Sequence, residues 1–183
     1  MEDGVCKLDS LAGVEDDFEI DDGVQRLKGW PADAFAAMDA RFPKDIGLAD
    51  CLYGASFLVI SLNAKRFLEN EDVTKVEFLP IKIINHKGRV ASEDYFVVNP
   101  LEIVDCIDKD ASEVELDSID TGAISGCAQL VLRKEVIPPH FKVFRPAFWS
   151  GLILIRRELA QRMTAAGLTG MEFIEPHEYT GLV

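Results

Sequence analysis

The 183-residue sequence predicts a single α+β domain, in which two pseudo-repeated strand–helix–strand units surround a mostly antiparallel or mixed sheet. Two observations predict this fold class. Residues 57–79 match residues 152–174 at a constant offset of 95, so that Ile60 corresponds to Ile155. Between the two copies, apolar and polar residues alternate with the two-residue period of a β-strand.

Each copy of the repeat predicts the same series of elements. A short apolar strand precedes about ten residues with one apolar face at helical spacing, and a turn and a second strand follow. Gly167 stands just after the second helix, where a left-handed C-cap residue belongs. Asp72 holds the equivalent position in the first copy and is less suited to that conformation. We expect each helix to pack its apolar face on the sheet.

The chain before the first copy carries weaker signals. Residues 1–29 show no helical period, and we expect irregular chain with one short strand there. Pro31 can occupy the first turn of a helix over residues 32–40. A loop is expected over residues 44–55.

Between the copies, the sequence predicts strands. Two of them, over residues 76–85 and 95–98, flank a turn at Gly88 and form a candidate hairpin. Further short strands are expected over residues 101–107, 114–116, 128–132 and 143–144.

Acidic residues dominate the charge. The chain has 32 Asp and Glu against 19 Lys and Arg, a net charge of −13. Most of the excess lies in residues 1–24 and 93–120, and we distinguish an acidic N-terminal segment, 1–24, from an α+β domain, 25–183. Such a chain lacks the clustered cations that nucleic acids and anionic membranes require. The start of the sequence resembles no export signal, so a cytoplasmic protein is expected.

The second acidic stretch is the candidate binding surface. One interpretation is a solvated face that maintains solubility. The other is a surface complementary to a basic protein partner, since such charge accelerates association. The carboxylates assigned to this candidate surface are Asp105, Asp108, Asp110, Glu113, Glu115 and Asp117.

Motifs for catalysis are sparse. The sequence has no phosphate-binding glycine loop and no metal-ligand spacing, and we expect neither cofactor nor metal. One alternative remains open: a small hydrolase that uses Cys106 or Cys127 with His140, or a carboxylate pair such as Asp105 and Asp108.

Several short motifs follow one another in a fixed order. They are Trp30 before a proline, the pair Tyr95 and Asn99, the aspartates Asp105 and Asp108 with Ser112, and a terminal motif with Gly167, Gly170 and Phe173. Together, over residues of about 25–179, they resemble the eleventh family of immunity proteins of bacterial polymorphic toxin systems.

This resemblance implies a non-enzymatic antidote that stays in the producing cell and blocks a cognate toxin by binding it. It assigns no interface. Asn99 precedes Pro100, which favours extended backbone, and we interpret the motif residues outside the acidic cluster as structural. A paralogue retained as an adaptor is the remaining alternative. The sequence leaves the activity of the toxin and the oligomeric state open.

Overall fold

The structure is a computed structural model that describes residues 3–54, 57–120, 122–149 and 151–181. This part of the chain forms a mixed α+β fold with two α-helices, α1 (Leu62–Asn70) and α2 (Arg157–Ala165). Its strands are β1 (Leu8–Ala12), β2 (Phe35–Met38), β3 (Cys51–Gly54), β4 (Phe57–Ser61), β5 (Val76–Ile84), β6 (Val90–Pro100), β7 (Ile103–Val104), β8 (Glu113–Leu116), β9 (Ile124–Gln129), β10 (Val143–Pro146) and β11 (Leu154–Ile155). Single 3₁₀ turns cover Asp17–Ile20, Lys134–Val136 and Pro176–Glu178.

Six strands close into a barrel in the order β1-β2-β5-β6-β4-β3. The β2–β5 and β1–β3 pairs are parallel, and the other pairs are antiparallel. Buried apolar side chains from all six strands fill its interior, among them Leu8, Ala36, Leu52, Val59, Leu79, Ile81 and Val97. A cavity lined by residues of these strands measures about 10 Å³, at the lower limit for holding a single water molecule. The barrel interior is therefore a packed core.

Both helices pack against the outside of the barrel. Leu68 of α1 and Leu159 and Met163 of α2 share one apolar cluster with Ile60 of β4 and Val98 of β6. Ser61 caps the N-terminus of α1, because its Oγ accepts a hydrogen bond from the Ala64 amide at 3.2 Å.

Two smaller sheets lie beside the barrel. One has the order β11-β10-β7, and the other is the β8–β9 hairpin. The hairpin covers a separate apolar cluster that contains Ile124, Cys127 and Trp149. Trp149 in turn packs on Tyr179, with ring centroids 5.8 Å apart. The chain near the C-terminus therefore supports the hairpin.

The predicted helix over residues 32–40 is wrong, because the structure has β2 there. Ala36 and Met38 are buried and alternate with half-buried neighbours, which is the period of a strand. β2 pairs with β1 on one side and β5 on the other. These ladders override the helix propensity of the alanines. The predicted loop over residues 44–55 also contains β3, which closes the barrel against β4 and β1.

The strand–helix–strand repeat is not confirmed as a complete unit. The helices start and end 95 residues apart, and Asp72 and Gly167 after them both have positive φ, at 51° and 73°. The first copy continues into β5, whereas residues 171–175 form no strand. A closed barrel has no free edge to pair with a further strand.

The predicted central hairpin is confirmed: β5 and β6 are antiparallel, and Gly88 in their turn has a φ of 69°. β8 and β10 contain the segments predicted at 114–116 and 143–144. The strands predicted over residues 101–107 and 128–132 have different bounds in the structure. The segment 101–107 contributes only the two residues of β7, and β9 begins four residues before the predicted start at 128.

Candidate partner-binding surface

The β8–β9 hairpin presents the second acidic stretch to solvent. Val114 is half-buried against the Trp149 cluster, whereas its neighbours Glu113 and Glu115 are exposed. Val114 lies opposite Cys127, which is fully buried. The two-residue period of the strand thus directs one side chain inward and two carboxylates outward.

The structure divides the six candidate carboxylates into two groups. Asp105 forms an ion pair with Arg133 at 2.8 Å. Asp108 Oδ1 accepts hydrogen bonds from the amides of Asp110 and Ala111, at 3.2 and 3.1 Å. Asp105 thus links two distant parts of the chain, whereas Asp108 stabilises its own loop.

Asp117 is also engaged inside its loop. Its Oδ1 accepts hydrogen bonds from the amides of Asp120 and Ile119, and these bonds lower the pKa of its carboxyl. The other three candidate carboxylates, Asp110, Glu113 and Glu115, are exposed.

A second polar cluster surrounds Asp50, at the start of β3. Its carboxylate accepts hydrogen bonds from Ser61 Oγ at 2.7 Å and Asn63 Nδ2 at 3.0 Å. It also accepts from the amide and hydroxyl of Thr169, at 3.0 and 3.1 Å. Burial alone would raise the pKa of Asp50, but these hydrogen bonds outweigh burial and lower it. Asp50 therefore joins the turn after α2 to the barrel and to the start of α1.

Replacing Asp50 by asparagine is expected to destabilise the protein by about 2 kcal/mol at neutral pH, because hydrogen bonds to a charged group contribute roughly 1.5–3 kcal/mol. The lowered pKa makes this contribution fully present above the unfolded-state value near 4. It is lost as the pH falls through the lower folded-state value. Urea unfolding of both proteins at about pH 7 and about pH 3 should show a difference that shrinks in acid. A difference of equal size at both pH values would contradict this role.

Tyr95 and Trp30 of the motif set both donate to backbone carbonyls, one just before β3 and one in β5. The Tyr95 hydroxyl donates to the carbonyl of Ala49 at 2.8 Å, and burial raises the pKa of Tyr95 to about 12. Trp30 Nε1 donates to the carbonyl of Pro80 at 2.7 Å.

Asn99 joins the N-terminal segment to the barrel. Its side chain is fully buried, and Nδ2 donates to the carbonyl of Val24 at 2.8 Å and to Glu77 Oε2 at 3.2 Å. Glu77 Oε2 also accepts from the Arg26 amide at 2.7 Å. Residues 24–26 are thereby fixed across the β5–β6 pair.

A polar contact joins Asp21, in the acidic N-terminal segment, to Arg145 of β10. Arg145 Nη1 lies 3.6 Å from Asp21 Oδ1, and Arg145 is 2% exposed. Burial raises the pKa of Asp21 to about 6, although Arg145 favours its charged form. Ile20 beside it is fully buried in the barrel core, so residues of the acidic N-terminal segment take part in the core.

The thiols proposed as nucleophiles lie inside the fold. Cys106 is fully buried, and burial raises its pKa to about 11. Cys127 is fully buried against the Trp149 cluster, and its Sγ lies 3.6 Å from the carbonyl of Tyr179. His140 is exposed and contacts Phe141 edge-on. A neutral buried thiol is a poor nucleophile.

Two further findings concern the described chain only. Across residues 3–54, 57–120, 122–149 and 151–181, no three His, Cys, Asp or Glu side chains are grouped so that they could hold a metal ion. Over the same ranges, no helix is long and apolar enough to span a bilayer.

Comparison with known proteins is decisive at the level of the family. The model of the Immunity protein family (Imm11) matches residues 11–178. The chain belongs to this family. No curated protein matches the chain. The Imm11 match begins within β1 and therefore covers residues 11–24 of the acidic N-terminal segment.

The remaining motif residues of this Imm11 member also lie at defined places in the fold. Ser112 Oγ accepts a hydrogen bond from the Val131 amide at 2.9 Å and so joins the acidic loop to the chain before the Lys134–Val136 turn. Gly170 lies directly against the Cys51 carbonyl. Phe173 is 38% exposed.

Sequence reasoning missed the contributions of Asp50 and of the Asp21–Arg145 contact. Asp50 stood alone in a predicted loop, and nothing in its neighbourhood distinguished it. The only available signal was Thr169, which is identical to Thr74 at the repeat offset of 95 residues. Asp21 is one of several carboxylates in a run, and only the coordinates show that it faces a buried arginine.

Proposed function

We propose that this chain is a non-enzymatic immunity protein that binds and neutralises a cognate bacterial toxin in the cytoplasm of the producing cell. The observation that carries the proposal is the Imm11 match over residues 11–178. Because the match covers almost the whole chain, the function is assigned to the complete fold and not to a small motif within it.

The toxin binds, in this proposal, through a partly acidic surface on the β8–β9 hairpin. Support comes from the exposure of Asp110, Glu113 and Glu115 and from their position on a framework held by Asp108 and Asp117. Exposed carboxylates on a fixed framework attract a basic partner at long range and increase the association rate. The toxin accordingly carries a basic surface.

The hydrolase alternative has weaker support. A thiol with a pKa near 11, as burial gives Cys106, is protonated at neutral pH. The carboxylates Asp105 and Asp108 are occupied by Arg133 and by backbone amides. The adaptor alternative shares the binding function and differs only in the partner.

The experiment uses the gene immediately upstream of this one, which in a toxin–immunity pair encodes the toxin. Its C-terminal domain is purified as an inactive variant and mixed with the full-length chain. Calorimetry is expected to give a defined stoichiometry and a dissociation constant of about 10 nM or below. Absence of binding at micromolar concentrations would contradict the proposal. An enzyme assay of the chain alone then addresses the hydrolase alternative.

A further inference from the structure

An apolar patch lies at the end of the acidic hairpin. It consists of Leu116, Ile119 and Phe148, which are 52%, 94% and 46% exposed. Leu116 lies opposite Ile124 in the hairpin, and the Ile124 amide donates to the carbonyl of Phe148 at 2.6 Å. The backbone of Phe148 therefore lies beside the end of the hairpin that carries Leu116. Single exposed apolar residues are common, whereas neighbouring ones mark interaction surfaces.

The loop that presents Ile119 is held in place by hydrogen bonds. Asp117 Oδ1 accepts from the Ile119 amide at 2.7 Å, and the Asp117 amide donates to the carbonyl of Ala123 at 2.9 Å. Asp120 Oδ1 accepts from the Gly122 amide at 3.0 Å. Because the backbone around Ile119 is already ordered, binding through this loop loses less backbone conformational entropy.

Along the chain, the charged neighbours of Leu116 and Ile119 are acidic. Glu115 and Asp117 flank Leu116 along the chain, and Asp120 follows Ile119. A cation also lies against the patch: Lys109 Nζ is 3.8 Å from the centre of the Phe148 ring and covers one of its faces. An apolar centre with a charged rim is the usual arrangement of a protein interface.

We infer that Leu116, Ile119 and Phe148 anchor the partner of this chain, and that the partner offers an apolar pocket rimmed by lysine and arginine side chains. The inference rests on the proposed function, because it takes the toxin as the partner. Charge complementarity selects the occupant: an acidic rim on this chain repels a second copy of itself and fits a basic protein. The carboxylates increase the rate of encounter, and Ile119 provides short-range affinity.

The test is to replace Ile119 by aspartate and measure binding to the C-terminal domain of the upstream gene product. The added negative charge would favour a basic partner if attraction were electrostatic alone. An anchoring role predicts the opposite, a loss of affinity of about 30-fold or more, as expected for a central interface residue. Because Ile119 is 94% exposed, the variant should fold normally, which circular dichroism and thermal unfolding verify.

Ile46→Asp is the matched control. Ile46 is 63% exposed and lies next to Asp45, whose carbonyl is 3.4 Å from His86 in the β5–β6 turn. Its replacement should leave the affinity within about twofold. If the unmodified chain binds and Ile119→Asp binds equally well or more tightly, the anchor is refuted while the proposed function stands. If the unmodified chain does not bind, the proposed function fails, and this inference fails with it.

Discussion

Replacing Gly170 by alanine is expected to destabilise the fold by about 4 kcal/mol, because backbone strain and a steric clash add together. Gly170 has a φ of 75°, in the left-handed region. A Cβ atom there would lie 2.2 Å from the carbonyl oxygen of Cys51 and 2.7 Å from the Cβ of Ala49. The turn after α2 would have to separate from β3, and the hydrogen bonds between Asp50 and Thr169 would be lost.

Gly167→Ala is the matched control, because Gly167 also has a positive φ, at 73°, in the same turn. A Cβ at this position meets no atom within 4 Å. Only the strain remains, and we expect a loss of about 1 kcal/mol. Chemical denaturation of the three proteins measures the difference. If the two substitutions have equal effects, close contact between this turn and β3 does not contribute to stability.

Reversing the charge of Asp110, Glu113 and Glu115 to lysine is expected to slow association with the toxin domain by about tenfold to a hundredfold at low salt. The carboxylates are exposed and outside the hydrogen bonds that hold the loop, so the fold should persist. The dependence of the association rate on ionic strength should also disappear. Asp108 and Asp117 are left unchanged, because lysine there would remove acceptors of backbone amides.

Stopped-flow measurements at several salt concentrations test this expectation. The control reverses Asp33, Glu93 and Asp94 on the barrel, which are exposed and change the net charge by the same amount. That variant should associate at nearly the normal rate. Equal slowing of both variants would mean that overall charge, and not the hairpin, guides the toxin.

The parts of the fold that sequence predicted are those with strong local periodicity. α1 and the β5–β6 hairpin each have a clear apolar pattern and a clear turn signal, and both were located. β2 was missed because its four residues are too few to show a period, and alanine favours helix until partner strands are present. Closure of the barrel depends on the parallel β2–β5 and β1–β3 pairs, which no local pattern encodes.

The candidate surface was predictable only in outline. Charge counting located the acidic stretch, since it needs no coordinates. It could not distinguish Asp108 and Asp117, which accept amides of their own loop, from Glu113 and Glu115, which face solvent. Ile119 gave no signal because one isoleucine among polar residues does not reveal its exposure. Only the structure shows that Ile119 is 94% exposed in the loop that follows Leu116.

The most direct measurement of the central claim is protection of living cells. The active C-terminal domain of the upstream gene product is induced in a susceptible bacterium, with or without this chain. We predict that the domain alone stops growth and that co-expression of the full-length chain restores it, whereas Ile119→Asp restores it only at higher expression. Continued killing in the presence of the folded, abundant chain would contradict the assignment of this protein as the antidote.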